Sequence, residues 1–181
     1  MKKLVIAAVC IGAAYVAYPY VSLYQLADAV ETKDAAALED RIDWSNLRQG
    51  LKDDISAVLA MSMQKPQEAN DSTGGFEMLG AVLGAKFADI MIDQMVTPAG
   101  LVMTMRRQAA SHPGMSLHPL QSVTGAFFDS PTQFLVTVKN DHGEPITLRM
   151  SLEGLSWKVS RLISSPNQIA EFARSMRNRS N

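Results

Sequence analysis

From Leu4 to Tyr18 the chain carries no charge, and Lys2 and Lys3 stand immediately before that run. A basic start followed by an uncharged apolar stretch is the pattern of an export signal or membrane anchor. A terminal helix that is apolar on every side has no polar face to show to water, so a soluble core accommodates it poorly. The run alone falls short of the ~20 residues that a bilayer span requires. It continues past Pro19, however, through Tyr20, Val21, Leu23 and Tyr24, with only Ser22 polar. All four tyrosines, Tyr15, Tyr18, Tyr20 and Tyr24, fall here, and tyrosine favours the membrane–water boundary, where its ring is buried and its hydroxyl wet. Residues 1–24 therefore read as a signal-anchor in an inner membrane, with the membrane held through residues 4–24 and the lysines keeping the N-terminus inside. Residues 25–181 read as one domain in the periplasm or otherwise outside the cytoplasm. The alternative is cleavage after Ala14, with Gly12 at the third position back, which would release a soluble domain.

Composition narrows the function classes. The length of 181 residues suits one domain with a real core. An apolar content of 47% against 19% charged residues argues against global disorder. A net charge of −1 offers no concentrated basic surface for nucleic acid, and Arg174, Arg177 and Arg179 read as the solvated end of a last helix. The one cysteine, Cys10, lies inside the apolar stretch. The domain can therefore hold no intrachain disulfide and no thiolate metal site.

Past the anchor, helical spacing of Leu23, Leu26, Ala27 and Val30 predicts a helix over about 20–32. Asp34 is placed to cap a short helix from Ala35 to Glu39. A longer helix follows from about Trp44 to Met63, with Leu47, Leu51, Ile55, Val58 and Leu59 as its apolar stripe and Arg48, Lys52 and Asp53 facing away. Residues 65–75 are a loop within the domain, rich in turn formers. The apolar segment from Phe76 to Val96 holds too many charges for a second span. Thr97 then caps a further helix with Pro98 at its first position, ending near Arg106 and Arg107. The remainder alternates with period two: Val123 to Phe128, then Phe134, Val136 and Val138, then Ile146 to Leu152, then Leu155, Trp157 and Val159. With turns at Asp141–Glu144 and Glu153–Gly154, these predict an antiparallel meander of about four strands. Ser165 to Gln168 has the form of a capping box that opens a C-terminal helix. The expected class is α+β, with helices on the apolar face of the sheet.

Tyr24-x-Leu26, Lys33-Asp34-x-x-x-Leu38 and Ile42-Asp43-x-x-x-Leu47-Arg48-x-x-Leu51-Lys52, together with Val96-Thr97-Pro98-x-Gly100-Leu101, resemble the bacterial domain-of-unknown-function family 2939. The resemblance runs over nearly the whole chain after the leader. It implies bacterial origin and a membrane or export leader, and it carries no assigned activity and no catalytic residues. The order of helices followed by a meander is also similar to small domains of the nuclear-transport-factor-like kind, an analogy of fold that names no function.

No catalytic, metal or cofactor motif passes a chemical test. His112, His118 and His142 lack the i, i+4 spacing of a zinc pair and read as solvated loop residues. No nucleophile elbow or phosphate loop is present, and Gly80 and Gly84, four apart on a helix, read as a packing feature. Asp89 and Asp93 share a helix face, with Glu77 upstream. Such carboxylates are an alternative acidic site for an ion-dependent or hydrolytic enzyme if burial separates their pKa values, and a structural ion pair with Arg106 or Arg107 otherwise. Methionines Met78, Met91, Met95, Met103 and Met105 crowd the two central helices. Methionine fills irregular cores and lines adaptable apolar surfaces, so Met91, Met95, Met103 and Met105 are the candidate ligand contacts. The expectation is a non-enzymatic envelope module without a cofactor, binding a lipid, another apolar ligand or an envelope protein near the membrane. A structural part in an envelope complex is the third possibility.

Overall fold

A computed structural model describes residues 2–63, 86, 89–111, 119–139 and 143–164. The fold is α+β: an N-terminal apolar helix, further helices, and then a four-stranded antiparallel sheet in the order β1-β2-β3-β4. The loop 65–75, the candidate residues Glu77 and Met78, the glycine pair Gly80 and Gly84, the three histidines and the C-terminal helix with its arginines lie outside the described residues.

Helix α1 (Lys2–Thr32) is continuous, with Pro19 inside it. The sequence reading separates a leader from a second helix near this proline, and the structure joins them. A proline inside a helix gives up one backbone hydrogen bond. Here Pro19, Ser22 and Leu23 are buried, and that packing offsets the loss. Residues 2–14 are exposed along their whole length. From Tyr15 onward the helix lies on the sheet: the Tyr15 hydroxyl donates to the Pro131 carbonyl, and the Tyr20 ring meets Phe134 edge-on with centroids 4.9 Å apart. The helix ends in a Schellman cap, with Lys33 at φ 55° and N–H groups of Lys33 and Asp34 returning to the carbonyls of Val30 and Ala29. Asp34 then caps α2 (Ala35–Arg41) by accepting from the N–H groups of Ala36 and Ala37.

After α2 the chain makes a short parallel bridge, Ile42 to Val159, and the Asp43 N–H donates to the Val159 carbonyl at 2.9 Å. This pairing partly covers the β4 edge of the sheet, a place where open backbone groups invite aggregation. Helix α3 (Trp44–Met63) follows. Residues 89–95 are helical (α4), and α5 (Pro98–Ser111) begins with the expected cap. The Gly100 N–H donates to Thr97 Oγ1 at 3.1 Å. A Cβ at Gly100 would stand 2.2 Å from the Met95 carbonyl oxygen. The Thr-Pro-x-Gly-Leu stretch is thus a helix start folded tightly onto the end of α4, where only glycine fits.

The strands are β1 (Val123–Ser130), β2 (Gln133–Lys139), β3 (Pro145–Glu153) and β4 (Ser156–Ile163). Register places Phe128, Phe134, Met150 and Val159 in one row, and Leu152 opposite Trp157. These side chains form the apolar face. Trp157, Phe134, Met150 and Val136 are fully buried there, and Leu38 and Ile42 pack onto it. Leu155 departs from the expected strand. It occupies the two-residue hairpin loop with Gly154, whose φ of 61° marks a turn with a left-handed first position, and it is 86% exposed. Its spacing from Trp157 and Val159 fits the strand period, so alternation alone places it on the wrong side of the boundary. Arg48 and Lys52 also depart from the expected outward orientation, because both reach α4. A second, smaller core joins Ile55 of α3 to Ile92 of α4, with Leu51, Val58 and Met91 packed around it.

Candidate functional site

Among the described residues, a cavity lies on each face of the sheet. The apolar one has a volume of about 180 Å³. One wall is α1, through Leu23, Leu26, Ala27 and Val30, whose helical spacing turns one stripe toward the sheet. The other wall comes from the 3-10 turn at Pro119–Ser122 and from Val123, Val138 and Leu148 on three strands. Leu120 stands at this groove and is 44% exposed. Among the described residues, Lys139 is the only charged one in the lining, and it is exposed. Sequence periodicity finds the α1 stripe; the opposite wall is assembled from strands and carries no local signal.

The polar cavity, of about 250 Å³, lies between α3 and the other face of the sheet. Helix α3 supplies Asn46, Gln49, Gly50 and Asp53, and the strands supply Gln133, Arg149, Ser151, Ser160 and Arg161. The expected arrangement of helices on the apolar face therefore needs a correction for α3, whose polar side covers part of the opposite face. A bulge shapes this cleft: Met150 faces Val159 and Arg149 faces Arg161, leaving Ser160 as the extra residue. The Ser160 hydroxyl is 2.7 Å from that of Ser151 and donates to the Arg149 carbonyl at 3.3 Å. Gly50 lets the stem of Arg161 lie against α3, since a Cβ there would be 3.3 Å from Arg161 Cγ. Asp54 accepts from Arg161 Nη2 at 2.8 Å, and Asp53 accepts from Gln49.

The rim of this face holds two carboxyl groups driven apart in acidity. Burial raises the Asp43 pKa, but hydrogen bonds from Glu153, Asn46 and Ser45 outweigh it and hold the group below its ordinary 3.8. Glu153 is pushed above its ordinary 4.5 by its hydrogen bond to Asp43, by burial and by the Asp43 charge, against the pull of Lys158. Opposite shifts of this kind are what two neighbouring carboxyl groups show when the first proton lost comes from one and the second is held back on the other. Sequence inspection misses this pair because a cap residue and a strand end meet only in the folded chain.

The residues singled out by sequence are dispersed. Asp93 pairs with Lys52 at 2.7 Å and Arg48 at 3.8 Å, rather than with Arg106 or Arg107. Arg48 also donates to the Val96 carbonyl at 3.2 Å, so one guanidinium serves both the acid and the C-terminal end of α4. Asp89 is exposed. Met91 packs on the smaller core, Met95 and Met105 are half-buried, and Met103 is 56% exposed. Neither cavity is lined by any of these four methionines. No cluster of three metal-ligating side chains occurs among the described residues.

Among known proteins, the family model described as "Protein of unknown function (DUF2939)" matches residues 8–103. The match takes in most of α1, then α2, α3 and the start of α5, and ends before the sheet. No curated protein matches, and no solved structure matches.

Proposed function

The chain belongs to the DUF2939 family of proteins of unknown function, and from that footing we propose that it is a membrane-tethered, non-enzymatic envelope module whose apolar groove takes an acyl chain. The observation that carries this reading is the groove itself. One of its walls is α1, a helix long and apolar enough, by length and composition, to cross a bilayer. Its lining is apolar apart from Ser122 and Lys139, and an exposed lysine at its margin suits an anionic headgroup. At about 180 Å³ it is smaller than the ~300–1,000 Å³ of drug-sized sites, which fits the end of one chain rather than a whole lipid.

The geometry of α1 adds a consequence for the tether. Only residues 2–14 are clear of the sheet, about 20 Å of helix at 1.5 Å per residue, against ~30 Å of hydrocarbon. An anchored domain of this shape sits low, with the turns at Pro131 and Leu155, level with Tyr15, at the interface. The tyrosines of α1 then serve the bilayer boundary and the sheet together.

Native mass spectrometry of the full chain, released from a maltoside detergent, tests the proposal. A reproducible adduct of lipid or fatty-acid mass is expected, and Leu120→Asp should remove it while leaving near-ultraviolet circular dichroism unchanged. A chain that flies without adduct, or an adduct indifferent to Leu120→Asp, would overturn the groove as the site.

A further inference from the structure

The cleft on the polar face supports an inference that is independent of the groove. Arg149 on β3 and Arg161 on β4 stand directly opposite one another. Like charges at a cross-strand pair repel, and the described fold counters only one of them. Asp54 holds Arg161 at 2.8 Å, whereas Arg149 makes no ion pair among the described residues. Its Nε is buried and finds no hydrogen-bond partner among them. A buried donor left unmade is costly, so this guanidinium is short of an acceptor.

The same cavity gathers Gln49 and Gln133, whose amides add N–H donors around Arg149, one of those of Gln49 being given to Asp53. Amide donors set beside a guanidinium suit the three free oxygens of a phosphate monoester, which accept from more directions than the two of a carboxylate. We propose that this cleft binds a phosphate group, with the planar fork of Arg149 as its principal contact. Asp53, also in the lining, is an acceptor for a hydroxyl or ammonium elsewhere on the same ligand.

Position adds a source for that group. Gln133 and Ser151 are partners in register, immediately beyond the Pro131–Thr132 turn that binds Tyr15. The cleft thus lies at the end of the sheet from which the exposed apolar turns of α1 depart. A lipid headgroup with a terminal phosphate and a soluble phosphate monoester both present the required chemistry at this place.

The test is calorimetric titration of the full chain in maltoside micelles, which contain no phosphate, with glycerol 3-phosphate and separately with dihexanoyl phosphatidic acid, both monoesters with three free oxygens. Saturable binding weakened about tenfold or more by Arg149→Gln is expected, the loss of a charge-assisted fork. Binding of glycerol 3-phosphate assigns a soluble ester, and binding of the phosphatidic acid alone, weakened by Arg149→Gln and not by Leu120→Asp, assigns a headgroup. Failure to bind either probe overturns the proposal, as does binding that Arg149→Gln leaves unchanged. If that variant does not fold, Arg149→Lys keeps the charge without the fork; about threefold weakening is expected, and unchanged affinity overturns the proposal. Lipid binding that Leu120→Asp removes and Arg149→Gln does not belongs to the acyl-chain groove and overturns the cleft as the phosphate site.

Discussion

The two faces of the sheet are cut from the same strands and do opposite work. On β3, Leu148, Met150 and Leu152 belong to the core, while Arg149 and Ser151 between them line the polar cleft. On β4, Trp157 and Val159 are buried, and the bulge residue Ser160 and then Arg161 serve the cleft. Successive side chains on a strand point to opposite faces, so neighbours in sequence are strangers in energetics. The apolar face closes around Trp157, whose ring lies 5.8 Å from Phe128 and 6.3 Å from Phe134. The polar face is held by one carboxylate–guanidinium pair and a serine pair, and it leaves a guanidinium nitrogen unmatched. One face therefore fixes the shape, and the other is available for chemistry that the fold does not need.

The largest test of that contrast is Trp157→Ala, which empties the centre of the apolar face. It should cost ~3–5 kcal/mol, read as a lowered urea midpoint; a loss under about 1 kcal/mol would mean that the core lies elsewhere. Asp54→Asn on the other face removes the ion-pair partner of Arg161, which stands opposite Arg149. Its expected cost is about 1 kcal/mol, since both partners are partly exposed and solvent screens the pair. Arg149→Gln should change stability by no more than about 0.5 kcal/mol, because it also relieves the repulsion from Arg161. A large loss from that variant would merge the two faces into one structural unit and break the comparison.

The smallest expected effect is a dependence on pH at the rim. Asp43, held below its ordinary value, contributes stability above that value and loses it as pH falls through the lowered pKa. Glu153, held above its ordinary value, contributes stability below that value and loses it as pH rises through the raised pKa. The pair therefore helps most between the two shifted values. Glu153→Gln keeps a donor for Asp43 and should remove the loss on the alkaline side in melting temperatures measured from pH 3 to 7. An unchanged profile would show that the two groups do not share a proton.

Much of the fold is legible in the sequence because its signals are local. Asp34 and Thr97 announce helix starts through side chains that reach N–H groups two or three residues ahead. The strands announce themselves by period, and errors gather where period is silent. Leu155 keeps the phase of Trp157 although the hairpin needs it as a turn residue. Arg48 and Lys52 look solvent-facing on α3 until α4 brings Asp93 beside them. The methionines on the central helices draw attention by number, yet the groove uses Leu26, Leu120 and Leu148 instead.

What the sequence by itself determined is the apolar N-terminal helix, the α+β order and the alternation of the strands, all of which follow from side chains acting on their own neighbourhood. Only the tertiary structure decided that α1 is shared between exposed apolar turns and the sheet, and that Arg149 faces Arg161 with one carboxylate between two charges. The same holds for Asp43 and Glu153, whose carboxyl groups shift in opposite directions. The physical reason is that partners distant in the chain meet only after register and packing are fixed, and no periodicity within one segment encodes which strangers will lie across from it.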